Sequence, residues 1–251
     1  MRLNSSNPAL KGNILHRATI NTASEIKSMS INGAIDKTSM LLAILLLTGG
    51  ATFSYLNRTS GLDYASPFLY PAIIGGGISA FIIALISIYK PHTSPICAPI
   101  YAALEGVFLG AISSLPFYGD FAFSAMFITA CILGTMLFLY RAKIIVADQK
   151  FKAGLMTATI GAFVIIICSF FMSMFGMLPA IYDFGLIGIG FSLFMLGLAS
   201  CYLILDFDLI ENMIQSGAPK YMEWYAGFTI MITLVWIYLE ALRLISILNR
   251  D

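Results

Sequence analysis

The stretch from Pro71 to Tyr89 reads PAIIGGGISAFIIALISIY and holds no charged residue. As a helix rising about 1.5 Å per residue it extends just under 30 Å, the thickness of the hydrocarbon core of a bilayer. Gly75, Gly76 and Gly77 would weaken such a helix in water, but membrane helices carry glycine freely. Working outward, six more segments have the same character: Thr38 to Leu56, Ile96 to Leu115, Phe121 to Tyr140, Gly154 to Leu178, Phe184 to Leu205 and Trp224 to Leu248. Charged residues make up 11% of the chain and hydrophobic residues 59%, whereas a soluble domain is about a quarter charged. A helix satisfies its own backbone in lipid, and the segments lack the alternating pattern of a membrane barrel. The expected fold is an all-α membrane protein with seven transmembrane helices.

Two regions follow. Residues 1–37 read as a polar, cytoplasmic N-terminal tail without the apolar core of a signal peptide, and residues 38–251 as the seven-helix transmembrane domain. With the N-terminus cytoplasmic, the inner segments carry Arg2, Lys11, Arg17, Lys27, Lys37, Lys90, Arg141, Lys143, Lys150, Lys152 and Lys220, against Arg58, Arg243 and Arg250 on the other side. Eleven against three favours that orientation.

Several classes of chemistry are excluded. Cys97, Cys131, Cys168 and Cys201 all fall within spans at spacings that suit neither disulfides nor a metal. His16 and His92 are far apart, and the basic residues follow topology rather than a nucleic-acid surface. No organic cofactor is implied. An intramembrane protease would need two aspartates in adjoining helices or a serine in a Gly-x-Ser-Gly context. Tyr182-Asp183 lies in a turn, and span seven has no lysine for a Schiff base. The chain does not read as an enzyme.

Ionisable groups inside hydrocarbon cost several kcal/mol unless paired or hydrated, so each one in a span is a candidate. Glu105 sits mid-span beside a small-residue stripe of Ala102, Gly106 and Gly110, which turns it toward the bundle interior. It is either a hydrogen-bonding strut or part of an ion or proton pathway. Asp206 closes span six with apolar neighbours on both sides. Asp208, about 200° around the helix, belongs with Glu211 and reads as a solvated helix end or as a supporting charge. Glu240 has Arg243 three residues on. It either pairs within its own helix or meets a carboxylate across the bundle, where two such groups share one proton.

The segments around these charges resemble a known family. Tyr202-Leu203-Ile204-Leu205-Asp206-Phe207-Asp208-Leu209-Ile210 is similar to the end of helix six in the Bax inhibitor-1/YccA-like membrane proteins. Tyr238-Leu239-Glu240-Ala241-Leu242-Arg243-Leu244-Ile245-Ser246-Ile247-Leu248 resembles their helix seven. Tyr101-Ala102-Ala103-Leu104-Glu105-Gly106, with Gly110, is similar to helix three of the YccA-like members. The seven-span layout matches from Thr38 to Asn249, and the tail from Asn7-Pro8-Ala9-Leu10 resembles the bacterial branch.

The resemblance implies six helices around a central seventh, a bacterial inner-membrane location, and a pH-regulated Ca²⁺ leak gated by two aspartates on helices six and seven. Carried over, the first falls on Asp206 and the second on Glu240, one methylene longer. The same pair is then the expected transient Ca²⁺ site, with Ca²⁺ as transported ion. The family's basic residue after helix two corresponds to Lys90, and Glu105 has no counterpart. Asp206 and Glu240 meet only if helix six continues through about Ile214 and helix seven enters the membrane near Phe228. The competing expectation is a non-conducting regulator, embedded in the bilayer, that binds a membrane protease or another channel.

Overall fold

The computed structural model describes residues 28–59, 67–176 and 185–249. The tail before Ser28, the closing Pro179 of span five, the Tyr182-Asp183 turn, the Phe184 start of span six and Arg250 lie outside the described residues. Seven long helices run through the rest: α1 (Ile31–Thr59), α2 (Leu69–Tyr89), α3 (Ser94–Ser113), α4 (Ala122–Arg141), α5 (Gln149–Met174), α6 (Leu186–Gln215) and α7 (Met222–Leu248). All seven are long and apolar enough to cross a membrane.

α5 ends at Met174, short of the expected Leu178, and three other boundaries reach well beyond the sequence expectation, each at the same end of the bundle. α1 begins at Ile31 rather than Thr38. α5 begins at Gln149 rather than Gly154, because the Asp148 carboxylate accepts from the Phe151 N–H at 2.7 Å and caps the helix. α6 continues to Gln215, well past Leu205. Hydropathy marks where the apolar run stops, but a helix persists into the polar layer when its side chains find partners there. At this end Lys152 Nζ meets Asp208 Oδ2 at 2.7 Å, and the Tyr140 hydroxyl donates to Glu211 Oε2 at 2.5 Å. Those two bonds tie the ends of α4, α5 and α6 together. Gly217, in the left-handed region at φ 69°, then turns the chain into α7.

α7 occupies the centre. Of its most apolar window 61% is buried, against 6% for the span containing α4. It packs on α6, α1, α4 and α3, whereas α5 rests on α6. Phe228, Met231 and Ile237 are fully buried on it. The seven-helix bundle with a central seventh helix is therefore observed as expected.

α1 and α3 approach almost to backbone contact. A Cβ on Gly49 would stand 3.1 Å from the Gly106 carbonyl, and one on Gly110 would overlap the Gly49 carbonyl. Small residues at spacing four allow this in membranes, where close van der Waals packing replaces the hydrophobic effect. The threonines beside them add no unpaired donor, since Thr48 and Thr52 each donate to a carbonyl one turn back.

The start of α1 is fastened to the start of α7. The Glu223 carboxylate, 2% exposed, accepts from both the N–H and the hydroxyl of Ser30 at 3.1 Å. Gly33 makes room for it, as any Cβ there would fall on that carboxylate. Met29 donates its N–H to the Ala218 carbonyl at 2.8 Å, and Lys37 Nζ lies 4.7 Å from the centre of the Trp224 ring.

Candidate functional site

The antiparallel contact of α6 with α7 gathers the unusual polar groups. Asp206 Oδ2 accepts from the Thr233 hydroxyl at 2.6 Å. Thr233 is buried, while Asp206 is half-buried. Asp206 lies two residues from Asp208, a rise of about 3 Å, but faces α7, while Asp208 and Glu211 hold Lys152 and Tyr140 on the other side of α6. Leu203, Ile230, Leu234 and Ile237 form a tightly packed apolar plug around this level, with Ile230 toward the Asp208 end and Leu203, Leu234 and Ile237 toward Glu240. Asp206 thus stands as a half-buried carboxylate set within apolar packing.

Glu240 lies beyond the plug. It is seven residues after Thr233, two helical turns and roughly 10 Å further along α7. Its Oε2 atom is buried and has no hydrogen-bond partner among the described residues. Arg243 and Trp236, on the flanking turns of α7, are the polar groups that act on its carboxylate. Arg243 also lies over the Phe191 ring of α6, 5.9 Å from its centre. The structure brings Asp206 to Thr233 rather than to Glu240. The extension of α6 that a meeting with Glu240 would need is present, but the residue it delivers opposite Asp206 is a threonine.

Between these levels Tyr202 bridges outward. Its hydroxyl shares a 2.8 Å hydrogen bond with Thr159 of α5, and its ring lies 5.7 Å from that of Trp236. Polar groups therefore recur along α6 and α7 from Asp208 to Arg243, interrupted by the plug.

Glu105 is buried on α3, 7% exposed. One turn before it, Tyr101 packs edge-on against Phe228 of α7 at 5.1 Å, and two turns after it Ser113 shares a 2.7 Å hydrogen bond with Tyr238 of α7. Glu105 thus belongs to the α3 face that meets the central helix. No hydrogen bond joins it to Asp206 or Glu240 among the described residues. Asp208 is half-buried in its pair with Lys152, and Asn212 Nδ2 also donates to it at 3.1 Å. Lys90 ends α2 with its backbone N–H on the Ile86 carbonyl and its side chain exposed.

Ca²⁺ takes about six to eight oxygen ligands. Among the described residues no three His, Cys, Asp or Glu side chains cluster to hold a metal. Asp206 and Thr233 together present one carboxylate and one hydroxyl, short of such a set.

Two residues that the charge pattern does not single out matter here. Thr233 carries no charge, and its only sequence sign is the Thr229–Thr233 spacing on one face of α7. Glu223 reads as an interfacial companion of Lys220 and Trp224, yet it is buried and its Oε1 atom accepts twice from Ser30. A family model described as "Bax inhibitor 1 like" matches residues 7–250. No curated protein and no solved structure matches the chain.

Proposed function

The chain belongs to the Bax inhibitor 1 like family, a group of multispanning membrane proteins with channel and regulatory roles, and we propose that it is a pH-sensitive leak pathway or exchanger for cations, Ca²⁺ in particular. The observation that carries this reading is Asp206: a half-buried carboxylate bonded across the α6–α7 contact to Thr233 and set within an apolar plug. In that arrangement the conformation is closed, because a dry constriction of large aliphatic side chains excludes a hydrated ion. Opening needs α6 and α7 to separate at the Asp206–Thr233 level. A change in the charge of Asp206 alters its need for water and so biases that separation.

In this reading Asp206 is the proton-sensing gate, Glu240 receives the cation beyond the plug with Arg243 nearby, and Glu105 tunes the field at the central helix. Asp208 and Lys152 keep the vestibule wall in place, and Lys90 adds positive charge at the same end. The basic-residue bias supports a cytoplasmic N-terminus, and the tail sequence supports a bacterial inner membrane. Purified protein in liposomes loaded with a Ca²⁺ dye tests the function directly. Flux that rises or falls with pH in wild type, and loses that dependence in D206N, is the expected result. Absence of flux at every pH would replace this reading with the non-conducting regulator of a membrane protease or channel.

A further inference from the structure

A second feature lies on the opposite side of α7. A cavity of about 450 Å³ opens between α1 and α4, which stand apart along this stretch, and its floor is α3 and α7. Its walls include Leu46 and Phe53 of α1 and Phe123 and Met126 of α4, while Leu109 and Leu234 form the floor. The volume lies within the range of roughly 300–1,000 Å³ typical of small-ligand sites. Its mouth is on the lipid-facing surface, where Leu46 and Phe123 are exposed. No acidic or basic residue lines it.

The polar atoms that do line it are already spoken for. Ser113 donates to the Leu109 carbonyl at 2.7 Å and shares a 2.7 Å bond with the Tyr238 hydroxyl. Thr129 donates to the Ala125 carbonyl at 2.8 Å. A polar ligand would find no free donor among these hydroxyls and would lose its own hydration. An ion would fare worse. The medium at the mouth is hydrocarbon, since the cavity lies at span depth between two membrane helices. An apolar hollow left empty there forfeits dispersion contacts on every wall.

We propose that this cavity is a binding site for one acyl chain of a bilayer phospholipid, entering sideways between α1 and α4. The headgroup stays at the interface near the α3–α4 turn, and the chain reaches inward toward Leu133 and Met231. Gly50 is the residue that keeps the hollow open, since a Cβ there meets nothing within 4 Å. Gly49, one residue earlier, faces α3 instead and is closed by the Gly106 carbonyl. The chain would rest on α7 next to Val235 and Leu234, so occupancy braces the central helix from the side away from Asp206 and supports the plug to which Leu234 belongs.

The test uses the full chain in phosphatidylethanolamine–phosphatidylglycerol vesicles containing a phospholipid with a diazirine at mid-chain. After photolysis, peptides are mapped by mass spectrometry. Leu109 and Leu234, which are buried from the general lipid surface, are expected to be labelled alongside exposed Phe163 and Phe170 of α5. Gly50→Phe starts from a Cβ that meets no neighbour and is expected to occupy the hollow, lowering floor labelling at least fivefold while α5 labelling stays unchanged. Ala130→Phe, from the α4 wall, is expected to do the same and carries the test if the first variant does not fold. Floor labelling no stronger than at Leu203, buried outside the cavity, would overturn the proposal. So would floor labelling unaffected by either plug.

Discussion

Replacing Thr233 by valine keeps the shape of the side chain and deletes the hydroxyl that closes α6 on α7. Asp206 Oδ2 then loses its 2.6 Å donor. Leaving a buried acceptor unpaired costs about 1–3 kcal/mol. Asp206 is only half-buried, so the lower part of that range applies, about 1–2 kcal/mol. That corresponds to a shift of roughly 5–30-fold in the balance between closed and separated helices. T233V is therefore expected to raise cation flux by that factor at pH values where wild type is mostly closed, and to lower the melting temperature by about 2–4 °C per kcal/mol. T233S restores the donor and is expected to behave as wild type in both measurements. The assay is dye-reported Ca²⁺ influx into liposomes at several pH values, with melting followed in the same preparation. If T233V melts lower but leaks no faster, the contact is structural and the gate lies elsewhere. If neither quantity moves, the hydrogen bond does not contribute.

D206N keeps an oxygen acceptor for Thr233 but cannot change charge, so its flux is expected to persist with a flattened pH profile. E240Q acts two turns away, so its effect on flux is expected to add to that of D206N within about 0.5 kcal/mol; a double variant no different from either single would show that the two carboxylates do meet in another state. E105Q is expected to retain more stability than E105A, because an amide still bonds where a methyl cannot; identical melting and flux for both would remove Glu105 from consideration. G33A places a Cβ on the Glu223 carboxylate and is expected to cost about 1–3 kcal/mol through overpacking, read as a drop in melting temperature, whereas unchanged melting would contradict the α1–α7 fastening. A lone cysteine at position 150, in a background free of native cysteines, is expected to react only with a cytoplasmic reagent, and labelling from outside would reverse the orientation.

Seven spans are legible because hydrocarbon thickness imposes a length and a near-absence of charge that few soluble segments satisfy. The stripe of Gly106 and Gly110 is legible for a similar reason: spacing four on a membrane helix has few other uses. The partner of Asp206 is not. A threonine in a membrane helix most often bonds its own carbonyl one turn back, so the sequence gives no reason to prefer Thr233 over Thr229. Conspicuous Glu240 draws the eye instead, because charge is visible in a string of letters and helix register is not. The end of α6 is hidden for a related reason. Asp206, Asp208 and Glu211 look like a terminus until Lys152 and Tyr140, distant in sequence, are seen beside them. The acyl-sized hollow is invisible from sequence, since it is made by what α1 and α4 fail to fill.

The bond between Ser30 and Glu223 spans 193 positions of chain, and it carries a consequence for how the protein is made. Among the described helices, the one made first has its leading end secured by the one made after all the others. Until α7 emerges, the α3 face bearing Tyr101 and Glu105 has no central helix to cover it, and Asp206 has no Thr233. A nascent chain of six spans therefore holds Asp206 without its donor, at several kcal/mol if it lies in lipid. A chain cut short before Met222 would carry in that unbonded acid a mark by which membrane quality control could recognise it as unfinished.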